Sequence, residues 1–471
     1  MTADAKYTSP RWRIYAMAML SLGFTLVLFG VLMHLVFIPI IINNVIRKAY
    51  AYSIKNPDEI MEGAIPEVKE SGPYTFTKNV VNKVLSHKNG IVKFKRYVSF
   101  VFNETESCQT CILGNRIWIP NMIYQKFVEA ASTAGMRAAA TTLLSQTAFL
   151  EVEVGEFLFE GYKDPFLDKI CEIPFMNFVC ESILDLPERI GIFFEKNNTA
   201  DGVYEISDGV GIPQDIGKIH TWNGKKSVDA SWYIVSVQLP VVGLQSVWLE
   251  FQKEVEYDGV PAFRFIIPPE VFDPTIPEND GFCNPTDKKF FDSQKETGYC
   301  FPKGLLEISK CLRSQPPIVV SLPNFNFAPD EVRQSVKGLN STDPERDIIF
   351  VDLEPRLGAV LRAQRSYQIN IEMWKGRDLI FPVNMNKTRS SLVPVLIIHE
   401  EATIDEETLN TIKSDLIRVE WLAHLFTTTV AAVGSVIMIV GIIFAIIKLG
   451  VLRRVKSDSV SPLPAYEPNG F

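Results

Sequence analysis

The sequence predicts an α+β membrane protein, with two transmembrane helices flanking a large ectodomain of short, mainly antiparallel strands and helical insertions. Three observations predict it. A charge-free apolar run stands near each end of the 471-residue chain. Between the runs, many short alternating stretches are punctuated by Gly and Pro, the pattern of antiparallel strands. All seven cysteines and all four usable N-glycosylation sequons fall in that middle part.

The first run, Ile14 to Ile42, holds no Asp, Glu, Lys or Arg, and its only strongly polar interruption is His34. A helix needs roughly 20 apolar residues to cross a hydrocarbon core of about 30 Å, so this run spans with residues to spare. A signal peptide has a shorter core, of about 7–15 residues, followed by a small-residue cleavage site; here Val36, Phe37, Ile38 and Ile40 continue the run. The second run, Leu422 to Ile447, lies between Trp421 and Lys448, and Trp12 borders the first. Aromatic rings favour the headgroup level. Two anchors put both ends on one side of the membrane. The expected organisation is a cytoplasmic N-terminus (1–13), a first transmembrane helix (14–42), an extracellular or lumenal ectodomain (43–421), a second transmembrane helix (422–447) and a cytoplasmic tail (448–471).

The sequons orient it. Asn103, Asn197, Asn340 and Asn386 each open an Asn-x-Thr between the anchors, while Pro285 disqualifies Asn284. The cationic bias, Lys6, Arg11 and Arg13 before one run and Lys448, Arg453, Arg454 and Lys456 after the other, points the same way. In an oxidising compartment the cysteines are mostly disulfides, and an odd count leaves one over.

In chain order, residues 43–60 read as a helix leaving the membrane, with Val45, Ile46, Tyr50 and Ile54 near helical spacing and Asn56-Pro57 ending it. Gly72-Pro73 reads as a turn, and Ile91 to Phe94 and Tyr97 to Phe102 as strands. Asn121 to Leu150 reads as two helices broken at Gly135, with Met122, Phe127, Met136, Leu143, Leu144 and Phe149 at helical intervals. Asp201-Gly202 reads as a turn, Pro323 and Pro355 end short strands, and Tyr367 to Met373 alternates as a half-buried strand does. Barrel and sandwich both fit such a pattern.

Several function classes fall away. A net charge of −8 argues against a nucleic-acid partner. No repeat of about 20–50 residues signals a solenoid. Two spans are too few for a pathway across the bilayer within one chain, so such a pathway would need a homo-oligomer. No G-x-S-x-G, P-loop or H-E-x-x-H occurs, so no enzyme, cofactor or catalytic residue is expected. Cys108-x-x-Cys111 has neither a second such pair nor a His pair at metal spacing, which removes the zinc and redox readings. The acidic cluster Glu400, Asp405, Glu406 and Glu407 reads as a solvated face before the membrane.

Several blocks then carry a resemblance: "ESGPYTF" from Glu70, "EGYKDPF" from Glu160, "NNTADGVY" from Asn197, "GLLEISKC" ending at Cys311, "SLPNF" ending at Phe325, "VDLEP" ending at Pro355, "LRAQRSYQINI" ending at Ile371 and "VPVLII" ending at Ile398. In this order, between two anchors, they resemble the CD36 family, the class B scavenger receptors, which includes lysosomal and sensory-neuron membrane proteins. The resemblance implies an irregular antiparallel β-barrel core outside the membrane, with a lipid-sized tunnel and a helical tip at about 121–160. At such a tip Met122, Phe127, Arg137, Leu143, Leu144 and Phe149 would dock ligand; the bland alternative packs the apolar ones inward. Only Lys126 and Arg137 supply cations there, fewer than polyanion-binding relatives carry. The resemblance also implies pairing of Cys283 with Cys300 and of Cys171 with Cys180, leaving Cys311 over. After Trp232 the chain is shorter than the family pattern, which bears on one wall of the tunnel.

In the tail, Leu463-Pro464-x-Tyr466 resembles a WW-domain ligand held extended by proline, against chance spacing in a disordered tail. An acidic dileucine is absent, favouring the plasma membrane over a lysosomal or endosomal one. The function expected is a cell-surface, scavenger-receptor-like glycoprotein that binds lipids (fatty acid, sterol or phospholipid) or lipoprotein-like particles and passes lipid through an apolar tunnel to the membrane. The alternative is an adhesion or particle-recognition receptor without lipid transport.

Overall fold

The computed structural model describes residues 44–131, 148–165, 188–212, 217–225, 248–277, 288–291, 300–309, 315–376, 387–419, 421–422, 424–436 and 439–440, and single residues 167, 215, 279, 294, 312 and 443. Two compact units are present, one of residues 1–257 and 261–405, the other of 258–260 and 406–471.

The first unit holds the strands: β1 (Asn44–Ile54), β2 (Val68–Lys88), β3 (Ile91–Phe102), β4 (Arg116–Pro120), β5 (Phe149–Glu153), β6 (Thr199–Ser207), β7 (Ile219–Trp222), β8 (Glu250–Tyr257), β9 (Val260–Ile266), β10 (Leu305–Glu307), β11 (Ile318–Ser321), β12 (Phe350–Glu354), β13 (Ala359–Met373) and β14 (Ser391–Thr403). Twelve of them form one sheet in the order β7-β6-β3-β2-β1-β14-β13-β12-β9-β8, with β11 also on β13 and β10 on β11. β4 and β5 form a separate antiparallel pair. The ladders at the centre are antiparallel. The chain is thus mixed α+β with a large antiparallel sheet, and the described ladder runs from β7 to β8 without closing on itself.

Four expectations change. The segment expected as a helix at 43–60 is a strand over Asn44–Ile54: β1 pairs with β2 on one side and β14 on the other, with Arg47 opposite Phe76 and Glu400. The apolar spacing there fits both periods, and pairing with β2 and, over Asn44–Ala51, with β14 gives the backbone hydrogen-bond partners without a helix. Asn56-Pro57 starts rather than ends a helix: Pro57 takes the first position of α1 (Pro57–Met61), where its missing N–H costs nothing. Gly72-Pro73 lies inside β2, opposite a bulge between Ala49 and Ala51. Gly202 lies inside β6, where a Cβ would stand 2.3 Å from Trp222 Nε1; close approach, not a turn, requires the glycine.

Pro323 and Pro355 do follow β11 and β12. Strand β13 alternates, but both of its faces are buried from Gln364 to Met373. Odd-numbered Tyr367, Ile369, Ile371 and Met373 join the main apolar core. Even-numbered Ser366, Gln368, Asn370 and Glu372 are buried and polar.

Helix α2 (Met122–Ala131) begins the expected helical region, and residues 132–147 lie outside the described ones. Chain geometry is extended again at β5, followed by one wide turn at Glu156–Glu160, so the region is not helical through 160. In the second unit, α3 (Glu406–Ile412) runs into a wide turn at Lys413–Ile417. The described residues from Trp421 to Ile443 are helical and expose Leu422, Phe426, Val430 and Val436. Among the described residues no helix is long and apolar enough to cross a membrane; residues 14–42 lie outside them.

Candidate functional site

Inward alternation on four neighbouring strands builds an apolar interior. Ala49 and Ala51 of β1, Leu396 and Ile398 of β14, Tyr367 and Ile369 of β13, and Phe76 of β2 are all buried in one core. Aromatic rings line one side: Phe76 meets Phe102 at 5.4 Å and Phe159 at 5.1 Å, and Phe159 meets Phe100 at 5.4 Å and Phe193 at 5.6 Å. Such ring pairs add attraction beyond their buried area.

One end of this interior is charged. Arg47, Glu400 and Arg365 stand in line across β1, β14 and β13, because Glu400 pairs with Arg47 on one side and Arg365 on the other. Lys78 comes from β2, opposite Val45. Arg47 Nε donates to Glu400 Oε1 at 2.6 Å, and Arg365 Nη2 donates to Glu400 Oε2. Lys78 Nζ sits 3.4 Å from both carboxylate oxygens. The Arg47 guanidinium lies 4.0 Å over Phe100 and 4.6 Å over Phe193, and that of Arg365 lies 5.4 Å from the Tyr367 ring. Ring faces attract cations that have lost water. Arg47 is 1% exposed, Glu400 6% and Arg365 8%.

Burial acts to raise the Glu400 pKa, but Arg365, Arg47 and Lys78 outweigh it and hold the carboxyl well below its usual range. Burial pushes Lys78 down to about 8; Glu400 opposes that shift, and Arg365 and Arg47 reinforce it. The cluster therefore has more positive charge than its one carboxylate balances. Among the described residues Arg47 Nη1, Arg365 Nε and Tyr367 Oη are buried without a hydrogen-bond partner. This corrects the expectation for Glu400: it is not part of a solvated acidic face, because the register of β14 turns it inward. Glu406 and Glu407 are exposed as expected.

The other predicted residues fall as follows. Asn103 accepts hydrogen bonds from Thr105 N at 3.1 Å and Thr105 Oγ1 at 2.7 Å, closing its sequon as a turn at the end of β3. Asn197 is exposed, and its amide bonds both the N–H and the C=O of Phe100, at 2.8 and 3.2 Å. Asn340 Nδ2 donates to Glu70 at 2.9 Å on an exposed surface. Met122 and Phe149 are buried in the main core, so they offer no docking surface; Phe149 lies on β5, where the helical reading put it on a helix. Phe127 is on α2. Arg137, Leu143, Leu144, Asn386, Leu463, Pro464 and Tyr466 lie outside the described residues, as do Cys171, Cys180, Cys283 and Cys311. Cys300 is disulfide-bonded. Cys108 and Cys111, for which no partner was expected by name, form a disulfide with each other, tying the loop between β3 and β4.

Sequence reading missed Arg47, Lys78 and Arg365. Each is a cation inside an otherwise alternating apolar strand, and that was the available signal: a charge on the face whose neighbours two residues away are Ala49, Phe76 or Tyr367.

Beside the β4–β5 pair, an open cleft of about 300 Å³ is lined by Leu150, Glu151, Tyr162, Lys163 and Arg189 among others.

The family model of the CD36 family matches residues 41–234 and 244–445. Among curated proteins, lysosome membrane protein 2 of Rattus norvegicus is 27% identical over 84% of this chain and 81% of its own length. Lysosome membrane protein 2 of Mus musculus is 28% identical over the same shares. Scavenger receptor class B member 1 of Sus scrofa is 24% identical over 84% of this chain and 78% of its own. The chain belongs to the CD36 family.

Proposed function

We propose that this member of the CD36 family is a membrane glycoprotein receptor, anchored at 14–42 and 422–447. Its ectodomain binds lipids or lipid-bearing particles and passes lipid through an apolar interior to the membrane. The observation that carries this reading is the continuous apolar interior on β1, β2, β13 and β14. A lipid crossing water exposes its chains at about 0.8 kcal/mol per CH₂; an apolar path removes most of that barrier and lets lipid follow its gradient without an energy source. In this reading the sheet curves into an irregular barrel around a tunnel. Asn103, Asn197, Asn340 and Asn386 carry glycans on the extracellular or lumenal side, and Cys283 pairs with Cys300 and Cys171 with Cys180. The tail offers Leu463-Pro464-x-Tyr466 to a WW-domain protein. No catalytic step is assigned. The membrane is the plasma membrane, with a lysosomal or endosomal one as the alternative.

The test is transfer of a fluorescent sterol and a fluorescent fatty acid from donor vesicles to vesicles holding the full-length chain. Transfer well above that into protein-free vesicles supports the reading. Transfer equal to the protein-free rate for both lipids sinks it. The open cleft beside β4 and β5 favours a second reading, particle recognition without transfer: particles would then bind the vesicles and deliver no lipid.

A further inference from the structure

We infer that the projecting half of the β2–β3 hairpin, with the loop after β6, is a surface that lies against the headgroups of the bilayer holding the chain. Its lysines would meet lipid phosphates, and its exposed aliphatic side chains would enter the interface between them. This inference rests on reading 14–42 as an anchor and is independent of whether lipid is transferred.

Position comes first. β1 begins at Asn44, two residues after the first apolar run ends at Ile42, and an extended link of that length reaches at most about 7 Å. Asn44 pairs with Thr403, the last residue of β14, so the strand leading towards the second run stops at the same end of the sheet. β2 does not stop there. Val45 is opposite Lys78, and β2 continues to Lys88, roughly 33 Å further at about 3.3 Å per residue. The two-residue turn Asn89-Gly90, with φ positive at both, closes this extension onto β3. Asp208 N donates to the Gly90 carbonyl at 2.9 Å, which puts the loop after β6 beside the tip. The projection points the way the anchor goes and is several times longer than the link.

Charge is the second observation. In a chain of net charge −8, the stretch from Ser71 to Phe102 holds six cations and no Asp or Glu. Lys78 faces Glu400, and Lys93 is met by Glu205 of β6 at 2.9 Å. Lys83, Lys88, Lys95 and Arg96 have no ion pair among the described residues. Lys83 stands directly opposite Lys95, a like-charge pairing that costs stability until an anion meets it. The third observation is apolar exposure. Val81 is 61% exposed, Val84 59% and Leu85 46%; beside the tip, Val210 is 82% exposed and Ile212 58%. Aliphatic groups set among lysines suit the headgroup level, where cations reach the phosphates and apolar side chains enter the acyl boundary. A soluble polyanion would use the lysines alone and leave the five aliphatic side chains in water.

The test reconstitutes the full-length chain in vesicles of equal phosphatidylcholine and phosphatidylserine with a trace of phospholipid carrying a photoactivatable group near its headgroup. Labelled peptides are then read by mass spectrometry. The internal control is the peptide holding Trp118, which is 38% exposed but lies at the far end of β1, where its N–H donates to Ser53 Oγ at 3.0 Å. The expected result is labelling of 79–98 several-fold above that control. In Lys83→Glu/Lys95→Glu, where one like-charged pair replaces another, labelling of 79–98 should fall about tenfold, as the loss of lysines close to an anionic surface requires. The melting temperature of that variant should stay near wild type, which separates lost contact from lost fold. With 14–42 labelled, equal labelling of 79–98 and the Trp118 peptide would overturn the membrane contact and leave the anchor standing. Labelling unchanged by the charge reversal would overturn the phosphate contact. Retention on heparin that the variant loses, with 79–98 unlabelled by lipid, would assign the lysines to a soluble polyanion and overturn the proposal. Absence of label from 14–42 itself would overturn the anchor reading, and the proposal with it.

Discussion

Strand β13 carries two buried polar systems on opposite faces, and they are built differently. On the even face the charged groups meet opposites, although Glu372, paired with Lys288 through Oε2, keeps Oε1 without a partner. Arg264 of β9 grips Asp352 of β12 through Nε at 2.7 Å and Nη2 at 2.8 Å, and its third nitrogen reaches Glu345. Lys253 donates to the other oxygen of Glu345 at 2.6 Å. The neutral groups beside them are paired too: Gln368 donates to Asn370 at 2.8 Å, Asn370 to the Val319 carbonyl at 3.0 Å, and the Ser366 hydroxyl to the Arg346 carbonyl at 2.8 Å. His399 Nδ1 lies 2.7 Å from that same hydroxyl. Because the hydroxyl's proton goes to the carbonyl, Nδ1 is the donor, and the pair is a packing contact rather than a nucleophile and base.

The odd face has two guanidinium groups and an ammonium around one carboxylate, with donors left over. A balanced network holds a fold together, whereas a surplus of one charge costs stability until something binds. The difference teaches where to look for function in a sheet with two buried faces: not at the face with more polar residues, but at the one whose account of donors and charges does not close.

The comparison can be broken by substitution. The largest effect is expected for Glu400→Gln, which leaves three cations without a counter-charge; a loss of about 5 kcal/mol should appear as a collapse of the melting temperature or of surface expression. A melting curve close to wild type would mean the cluster is hydrated and not a buried ion group. Arg264→Met, on the balanced face, strands Asp352 and should cost about 3 kcal/mol by urea unfolding. If Arg264→Met were neutral, the two faces would not differ in the way described.

A third prediction concerns pH. Burial pushes His399 down to about 4, with Arg346 and Lys48 acting the same way against Asp347 and Asp343. Its folded pKa lies below the unfolded value of 6.5, so the unfolded chain takes up the proton first. Its neutral form is at no disadvantage above pH 6.5, and stability falls as pH drops from 6.5 towards 4. The loss at pH 5 is about 2 kcal/mol, and His399→Gln should flatten the melting profile over that window. Glu400, whose folded pKa is also depressed, adds its own loss below about pH 5, where the unfolded carboxyl begins to take up protons, so the His399 slope is read between pH 6.5 and 5. An unchanged slope in the variant would mean that His399 is not what titrates. The smallest effect is expected for Arg365→Met. It removes surplus charge while Glu400 keeps Arg47 and Lys78, so stability should stay within about 1 kcal/mol of wild type. A loss as large as that of Arg264→Met would make the odd-face cluster structural as well.

Much of the architecture was legible from local pattern. Ile91 to Phe102 reads as β structure from its alternation, although one strand replaces two. Pro323 and Pro355 mark strand ends because proline cannot continue a ladder. The β1 segment misled because Val45, Ile46, Tyr50 and Ile54 satisfy helical spacing as well as alternation. In a strand its backbone pairs with two neighbours, and both neighbours are distant in sequence. The tip residues Met122 and Phe149 could not be sorted from sequence, since an apolar side chain packs inward or docks a ligand with the same identity.

By itself the sequence determined the two charge-free runs, the sequons and cysteines between them, the strand-rich middle and, through blocks in a fixed order, the family. Each depends on residues close together in the chain, where composition and period carry the information. Only the tertiary structure decided that Glu400 leaves the acidic stretch around it to meet Arg47, 353 positions away. It also decided that Cys108 and Cys111 close on each other and that one face of β13 is balanced while the other is not. The physical reason is register. A slip of one residue between strands would turn every side chain to the opposite face, so which charges meet is fixed by pairing across the sheet, and no local pattern records it.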